Sequence, residues 1–126
     1  MRVWEPSDGC AKWSVDAAAA GAHAGSVEDL QWSPRERDSL ASVSADRSLR
    51  LWDVRVRAHR DDSSASAAAA AVAVADAHRA DINVLHWNAL RPEFLLTGGD
   101  DGFLRIWDTR LLKACTVLVL CTVQYY

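Results

Sequence analysis

The chain has 126 residues, half of them apolar, and its 14 basic and 17 acidic side chains give a net charge of −3. The weakly acidic balance disfavours direct nucleic-acid binding, which depends on Lys and Arg neutralising phosphates, and the longest apolar run is about half of the roughly 20 residues that a membrane-spanning helix needs. Three cysteines without CxxC spacing predict neither a disulfide framework nor a zinc site, and with no apolar leader at the N-terminus we expect an intracellular protein.

The first predicted elements are two strands near the N-terminus. Arg2-Val3-Trp4-Glu5 has the same order of side chains as Arg50 to Asp53 and Arg105 to Asp108 farther along the chain. Lys12 to Asp16 is expected to form the strand that follows. We therefore interpret residues 1–21 as the end of a repeat unit that starts upstream.

A repeat of 55 residues organises the rest of the chain. Residues 22–55 align without a gap on residues 77–110, and eleven of the 34 positions are identical. Repetition of this kind is typical of folds built from copies of one supersecondary unit. The identical pairs are Ala22/Ala77, His23/His78, Leu30/Leu85, Trp32/Trp87, Leu40/Leu95, Asp46/Asp101, Leu49/Leu104, Arg50/Arg105, Trp52/Trp107, Asp53/Asp108 and Arg55/Arg110.

Each copy is predicted to begin with three short strands. In the first copy one strand runs from Val27 to Trp32, with an irregularity near its start, and the next spans Leu40 to Val43. A polar turn around Asp46 leads to a third strand that starts at Leu49. In the second copy this turn contains Asp101-Gly102, which is a strong hairpin signal.

A fourth strand is expected between the two copies. Residues 71–75, Ala-Val-Ala-Val-Ala, stand directly before the next repeat, although their alanines would also suit a helix. The polar stretch 57–66 is interpreted as a loop inserted before this strand. Residues 22–76 and 77–126 thus form two repeat units, and the second ends in a tail that departs from the pattern from Leu111.

Four chemically distinct positions recur in both copies: an early histidine, a hydroxyl residue, an aspartate in the turn and a tryptophan near the end of the third strand. This pattern resembles the WD40 repeat of β-propellers. The resemblance implies an all-β fold with about two and a half blades of an incomplete ring. The candidate tetrads are His23, Ser42, Asp46 and Trp52 in one copy, and His78, Thr97, Asp101 and Trp107 in the other.

The resemblance implies that the tetrads are structural. In each tetrad, one ring nitrogen of the histidine donates to the aspartate, and the other contacts the hydroxyl group. The hydroxyl oxygen in turn accepts from the indole N–H of the tryptophan. Ser42, His23 and Asp46 could also suggest a hydrolase, but no G-x-S-x-G turn accompanies them. We therefore expect no enzyme, and no cofactor or metal. Packing between blades is the expected role of Trp32, Trp52, Trp87 and Trp107.

The resemblance is closest to the family of glutamate-rich WD-repeat proteins, which are relatives of the retinoblastoma-binding histone chaperones. Val3 to Pro6, Ser26 to Pro34 and Phe94 to Gly102 carry it. It implies a protein-binding scaffold of the nucleus and nucleolus, with a role in ribosome biogenesis or in histone and chromatin binding. The acidic segment that names the family and most of its blades are not in this sequence, so we expect a truncated member.

By the same resemblance, partners bind side chains just after the histidine and just before the turn aspartate. Three of the six such side chains are acidic and none is basic, which favours a basic partner such as a ribosomal protein or a histone. No nucleic acid, membrane or small-molecule substrate is expected as a partner. The candidates are Ser26, Glu28 and Ala45 from one blade and Asp81, Asn83 and Asp100 from the other.

An alternative function comes from two Trp-Asp-x-Arg sequences. They resemble the WDxR box of propellers that serve as substrate receptors of cullin-type ubiquitin ligases. Arginine after the Trp-Asp pair is also common in propellers, where it pairs with a neighbouring carboxylate, and the sequence leaves both interpretations open. The residues concerned are Trp52, Asp53 and Arg55, and Trp107, Asp108 and Arg110.

Overall fold

The computed structural model describes residues 23–53, 70–111 and 113–119. None of these residues forms a helix, so the described part of the chain contains no helix that could cross a membrane. The strands, in chain order, are β1 (Val27–Trp32), β2 (Ser39–Ser44), β3 (Leu49–Asp53), β4 (Ala70–Val74), β5 (Ile82–Trp87), β6 (Phe94–Gly99), β7 (Phe103–Asp108) and β8 (Lys113–Val119).

The strands form two antiparallel sheets, ordered β1-β2-β3-β4 and β5-β6-β7-β8. Consecutive strands are neighbours throughout, as is usual for antiparallel strands. We call these sheets the first and the second blade, and they confirm the all-β prediction. The half-blade predicted within residues 1–21 and the loop predicted at residues 57–66 lie outside the described residues.

The first strand of each blade contains the predicted irregularity. The pairing of β1 with β2 shifts between Val27 and Asp29, and the pairing of β5 with β6 shifts between Ile82 and Val84. A bulge of this kind adds one residue to a strand whose side chains otherwise alternate between faces. It explains why the apolar residues of this strand are first three and then two positions apart.

The turn between the second and third strands has the same backbone in both blades. Gly102 has a φ of 76°, and Arg47, at the equivalent position, has a φ of 67°. Such a conformation costs little for glycine and is unfavourable for other residues. The backbone carbonyl of Arg47 accepts a hydrogen bond of 2.9 Å from the N–H of Ala77, so this strained residue also joins the first blade to the start of the second.

The outermost strand of each blade is the one with the weakest sequence signal. Ala70–Val74 forms a strand rather than a helix, because it pairs with β3. The sequence pattern ends at Leu111, yet Lys113–Val119 completes the second blade by pairing with β7. Backbone hydrogen bonds hold this strand, and these require no particular side chains.

The main hydrophobic core lies between the two blades. Of the four tryptophans expected to pack there, Trp52, Trp87 and Trp107 are buried, whereas Trp32 is 43% exposed. Trp32 lies on the face of β1 away from the second blade, so it does not pack between the two described blades. The buried core consists of Ala41, Val43, Leu49, Ala77, Ile82, Leu85, Trp87, Leu95 and Trp107.

Candidate functional site

The four candidate tetrad residues of the second blade lie in one chain of hydrogen bonds. The indole N–H of Trp107 donates to Thr97 Oγ1 at 2.8 Å, and His78 Nε2 lies 2.8 Å from the same oxygen. His78 Nδ1 lies 2.9 Å from Asp101 Oδ1. Because Thr97 Oγ1 accepts from Trp107, its own hydrogen is free to bond Nε2. A neutral imidazole with its proton on Nδ1 therefore satisfies every member of the chain.

In the first blade a fifth residue takes part. Trp52 Nε1–H donates to Ser42 Oγ at 2.8 Å, and His23 Nε2 lies 2.7 Å from that oxygen. His23 Nδ1 is 3.2 Å from both carboxylate oxygens of Asp46 but only 2.8 Å from Ser48 Oγ. The Ser48 hydroxyl in turn donates to Asp46 Oδ1 at 2.6 Å. The histidine and the aspartate are thus connected partly through Ser48.

Sequence reasoning missed Ser48 and a second partner of each aspartate, an arginine four positions later. Phe103 stands at the position of Ser48 in the second repeat, so the repeat carries no signal for this serine. The arginines could have been found, because Arg50 and Arg105 are an identical pair. Arg105 Nη1 donates to Asp101 Oδ2 at 2.9 Å, whereas Arg50 Nη2 lies 3.9 Å from Asp46 Oδ2.

The aspartates also hold the backbone around them. Asp101 accepts from the N–H of Arg79 at 2.9 Å and from the N–H of Phe103 at 3.1 Å. Asp46 accepts from the N–H of Ala24 at 2.7 Å and from the N–H of Ser48 at 2.9 Å. Each carboxylate therefore ties the residue after the histidine to the turn between the second and third strands.

The pKa values of the tetrad histidines and aspartates are all lowered, but for different reasons. Burial lowers the pKa of His23 and of His78, and this effect exceeds the attraction of the neighbouring aspartate. Burial alone would raise the pKa of the two aspartates. Hydrogen bonds, chiefly from Ser48 to Asp46 and from the Arg79 N–H to Asp101, instead hold the pKa of both carboxyls well below the ordinary range.

We expect the free energy of unfolding to fall as the pH is lowered below the ordinary histidine pKa of 6.5. His23 and His78 have lower pKa values in the folded chain, so the unfolded chain binds these protons first and is favoured. Below the ordinary aspartate pKa of 3.8, protonation of Asp46 and Asp101 removes further stability. Urea unfolding at pH 7.5, 6.0 and 5.0 measures the effect.

The exposed His86 supplies the control for this pH series. A His86→Ala variant is expected to show the same loss of stability between pH 7.5 and 5.0 as the parent chain. A urea midpoint that does not change over this range would contradict the expected role of the two buried imidazoles.

The hydroxyl groups of the tetrads are enclosed. Ser42 and Thr97 are fully buried, and each oxygen lies between an imidazole and an indole ring. A substrate has no access to a nucleophile in this position, and this geometry disfavours the hydrolase interpretation. No group of three His, Cys, Asp or Glu side chains within the described residues could hold a metal ion.

The six candidate partner-binding residues lie at one end of the blades. The carbonyl of Ser26 accepts from the N–H of Ala45 at 3.0 Å, and the carbonyl of Asp81 accepts from the N–H of Asp100 at 2.9 Å. The Asn83 amide donates to the Asp100 carboxylate. All six are exposed except Ala45, which is half-buried. We call Glu28, Asp81 and Asp100 the acidic face.

The second Trp-Asp-x-Arg sequence forms an ion pair at the opposite end of the blades. Arg110 Nε and Nη2 donate to the two oxygens of Asp108 at 3.0 and 2.6 Å. These bonds lower the pKa of Asp108 to about 2 and raise the pKa of Arg110. Asp53 and Arg110 line a groove of about 580 Å³ at this end. Arg55 lies outside the described residues.

Comparison with known protein families matches residues 19–53 and 71–108, more than half of the chain, to the family described as "WD40: WD domain, G-beta repeat". The chain belongs to the WD40 repeat family. Its two blades are WD40 blades, and the resemblance inferred from the repeat is confirmed. WD40 domains in general are protein-interaction scaffolds.

Three similar proteins each match one part of the chain. Protein HEAT STRESS TOLERANT DWD 1 of Arabidopsis thaliana is 46% identical over 44% of the chain. Glutamate-rich WD repeat-containing protein 1 of Dictyostelium discoideum is 49% identical over 34%, and Ribosome assembly protein rrb1 of Schizosaccharomyces pombe is 46% identical over 34%. The matched segments span only 12%, 9% and 9% of these relatives, respectively.

The fold is similar to that of a solved WD40 domain, from coronin of Toxoplasma gondii. The two structures superpose with a TM-score of 0.65 over 78% of this chain, with 19% sequence identity. The match covers 24% of the coronin domain, so the two blades correspond to about a quarter of that structure. At this identity the likeness shows the fold alone.

Proposed function

We propose that the chain is a non-enzymatic WD40 scaffold that binds a basic client protein in ribosome biogenesis or in histone and chromatin binding. The acidic face carries this proposal. Glu28, Asp81 and Asp100 are exposed, come from both blades and lie at the same end of them. A nuclear or nucleolar location accords with this role. A relative named as a ribosome assembly protein, 46% identical over 34% of the chain, supports it.

The charges around the acidic face favour a cationic partner. Two arginines stand near the acidic face in sequence: Arg47 is paired with Asp76 at 2.9 Å, and the exposed Arg79 precedes Asp81 by two residues, so the three carboxylates still outnumber the basic side chain that is not paired with Asp76. The Asn83 amide holds the Asp100 carboxylate in place without neutralising its charge. Exposed ion pairs contribute only about 0 to 1 kcal/mol each, so the three carboxylates act mainly by speeding the approach of the client and selecting it by charge.

Charge reversal at the acidic face is the test of this proposal. The variant Glu28→Lys/Asp81→Lys/Asp100→Lys is expected to bind core histones and a basic ribosomal protein at least about tenfold more weakly than the parent chain. Binding by the parent chain should itself weaken as salt is raised, because the charges are exposed. Fluorescence anisotropy with labelled clients at two salt concentrations measures both effects.

A matched control changes the same charge elsewhere. Glu36, Asp38 and Glu93 lie at the opposite end of the blades, and Glu36→Lys/Asp38→Lys/Glu93→Lys alters the net charge by the same amount. This variant should retain most of the affinity of the parent chain. Equal losses in the two triple variants would show that only net charge matters, and would exclude the acidic face as the binding site.

A second candidate function is that of a substrate receptor of a cullin-type ubiquitin ligase. The observation that favours it is the Arg110 guanidinium, which is 68% exposed and held in one position by Asp108. Under this function, Arg55→Ala/Arg110→Ala abolishes co-purification with the ligase adaptor, whereas reversal of the acidic face does not affect it. The absence of any adaptor in purifications of the parent chain would exclude it.

A further inference from the structure

β5 forms one edge of the second blade, which we call the inner edge. This edge is bound by side chains of the first blade. β5 has one neighbouring strand, β6, so every second backbone N–H of β5 points away from its own sheet. The N–H of Leu85 donates to Asp29 Oδ2 at 2.9 Å, and the N–H of Trp87 donates to Gln31 Oε1. Both donor residues are buried, and buried N–H groups require an acceptor.

The Asp29 carboxylate joins the same position of both repeats. Its Oδ1 accepts from the N–H of Leu30 at 2.8 Å, while its Oδ2 accepts from Leu85, the residue equivalent to Leu30. A carboxylate is a stronger acceptor than a neutral group, and two backbone donors offset the cost of its partial burial. The carboxylate therefore connects β1 and β5, the first strands of the two blades, at a defined register.

This contact is specific to one blade interface. The residues of the second repeat that correspond to Asp29 and Gln31 are Val84 and His86, both of which are exposed. Valine has no acceptor, so the second blade cannot make the same pair of contacts to a following strand. Asp29 and Gln31 are therefore not explained by the repeat pattern.

We propose that Asp29 and Gln31 form a clamp that fixes the inner edge of the second blade to the first blade and closes that edge to other strands. An edge strand with free N–H groups is a template for pairing with another chain. The clamp occupies these groups with side chains and places a negative charge beside them. It requires no client and does not depend on the proposed function.

Amide hydrogen exchange of the full chain, followed residue by residue by NMR, tests the clamp. In Asp29→Ala/Gln31→Ala the N–H groups of Leu85 and Trp87 are expected to exchange at least about tenfold faster, while N–H groups that pair β6 with β7 keep their protection. Glu28→Gln, on the exposed side of the same strand, should leave all of these rates unchanged.

A milder variant keeps the test decisive if the double variant unfolds. Gln31→Met retains the length of the side chain but replaces the amide oxygen with a thioether sulfur, a much weaker acceptor, so it should accelerate exchange at Trp87 and leave Leu85 unchanged. Unchanged exchange at Trp87 in this variant would overturn the proposal, as would equal acceleration of all amides in the sheet.

Discussion

Replacement of Asp101 by alanine is expected to lower the free energy of unfolding by about 3 to 5 kcal/mol. The carboxylate is almost fully buried and accepts hydrogen bonds from His78, Arg105 and the backbone N–H groups of Arg79 and Phe103. Alanine would leave these donors without an acceptor, and the Arg105 guanidinium without its counter-charge. Stability is lost both because hydrogen bonds are removed and because the remaining donors and the Arg105 charge are left without a partner.

Urea unfolding followed by tryptophan fluorescence measures this loss. The adjacent residue supplies a matched control, because Asp100 carries the same charge but is exposed. Asp100→Ala is expected to change the free energy of unfolding by no more than about 0.5 kcal/mol. Similar losses in the two variants would contradict the structural role of the second tetrad.

Substitution of Gly99 by alanine is expected to cost about 2 to 3 kcal/mol. A β-carbon at this position would lie 2.7 Å from the backbone oxygen of Asp81 and 2.9 Å from His78 Nδ1. Neither atom can move freely, because the Asp81 oxygen accepts from the N–H of Asp100 and the imidazole is held by Thr97 and Asp101. The added methyl group would therefore push the tetrad histidine out of place.

Gly98→Ala is the control for this prediction. A β-carbon there would also be crowded, at 2.7 and 2.9 Å, but its neighbours are the side-chain ends of Val84 and Leu104. Val84 is 51% exposed and Leu104 is half-buried, so both side chains have room to shift, and the expected cost is smaller, about 1 kcal/mol. A thermal or urea midpoint that falls more for Gly98→Ala than for Gly99→Ala would contradict this account.

Most of the second blade could be predicted by comparing it with the first. The histidine, hydroxyl, aspartate and tryptophan positions recur at equal spacing, and the structure places all eight of these residues within hydrogen-bond distance of a tetrad partner. The spacing of Val27, Leu30 and Trp32 was sufficient to predict the bulge. Such features depend on local geometry that two copies of the sequence share.

Features that differ between the copies could not be predicted in this way. Ser48 enters the first tetrad but has a phenylalanine as its counterpart, and Arg47 adopts the backbone conformation of Gly102. The burial of tryptophans also escaped the repeat pattern, because Trp32 and Trp87 are identical positions with opposite exposure. A residue's burial depends on what packs against its face, and the two blades have different neighbours.

The sequence by itself determined the family, the first three strands of each blade and the residues of the tetrads, because these follow from short-range spacing repeated after 55 residues. Only the tertiary structure decided which groups meet between the blades. In the sequence, Asp29 and Gln31 are two polar residues of a half-exposed strand. Their role as acceptors of backbone N–H groups is visible only once β5 lies beside them. The backbone N–H groups of an edge strand bond to acceptors on the neighbouring blade, and the short-range sequence pattern does not specify which side chains these acceptors are.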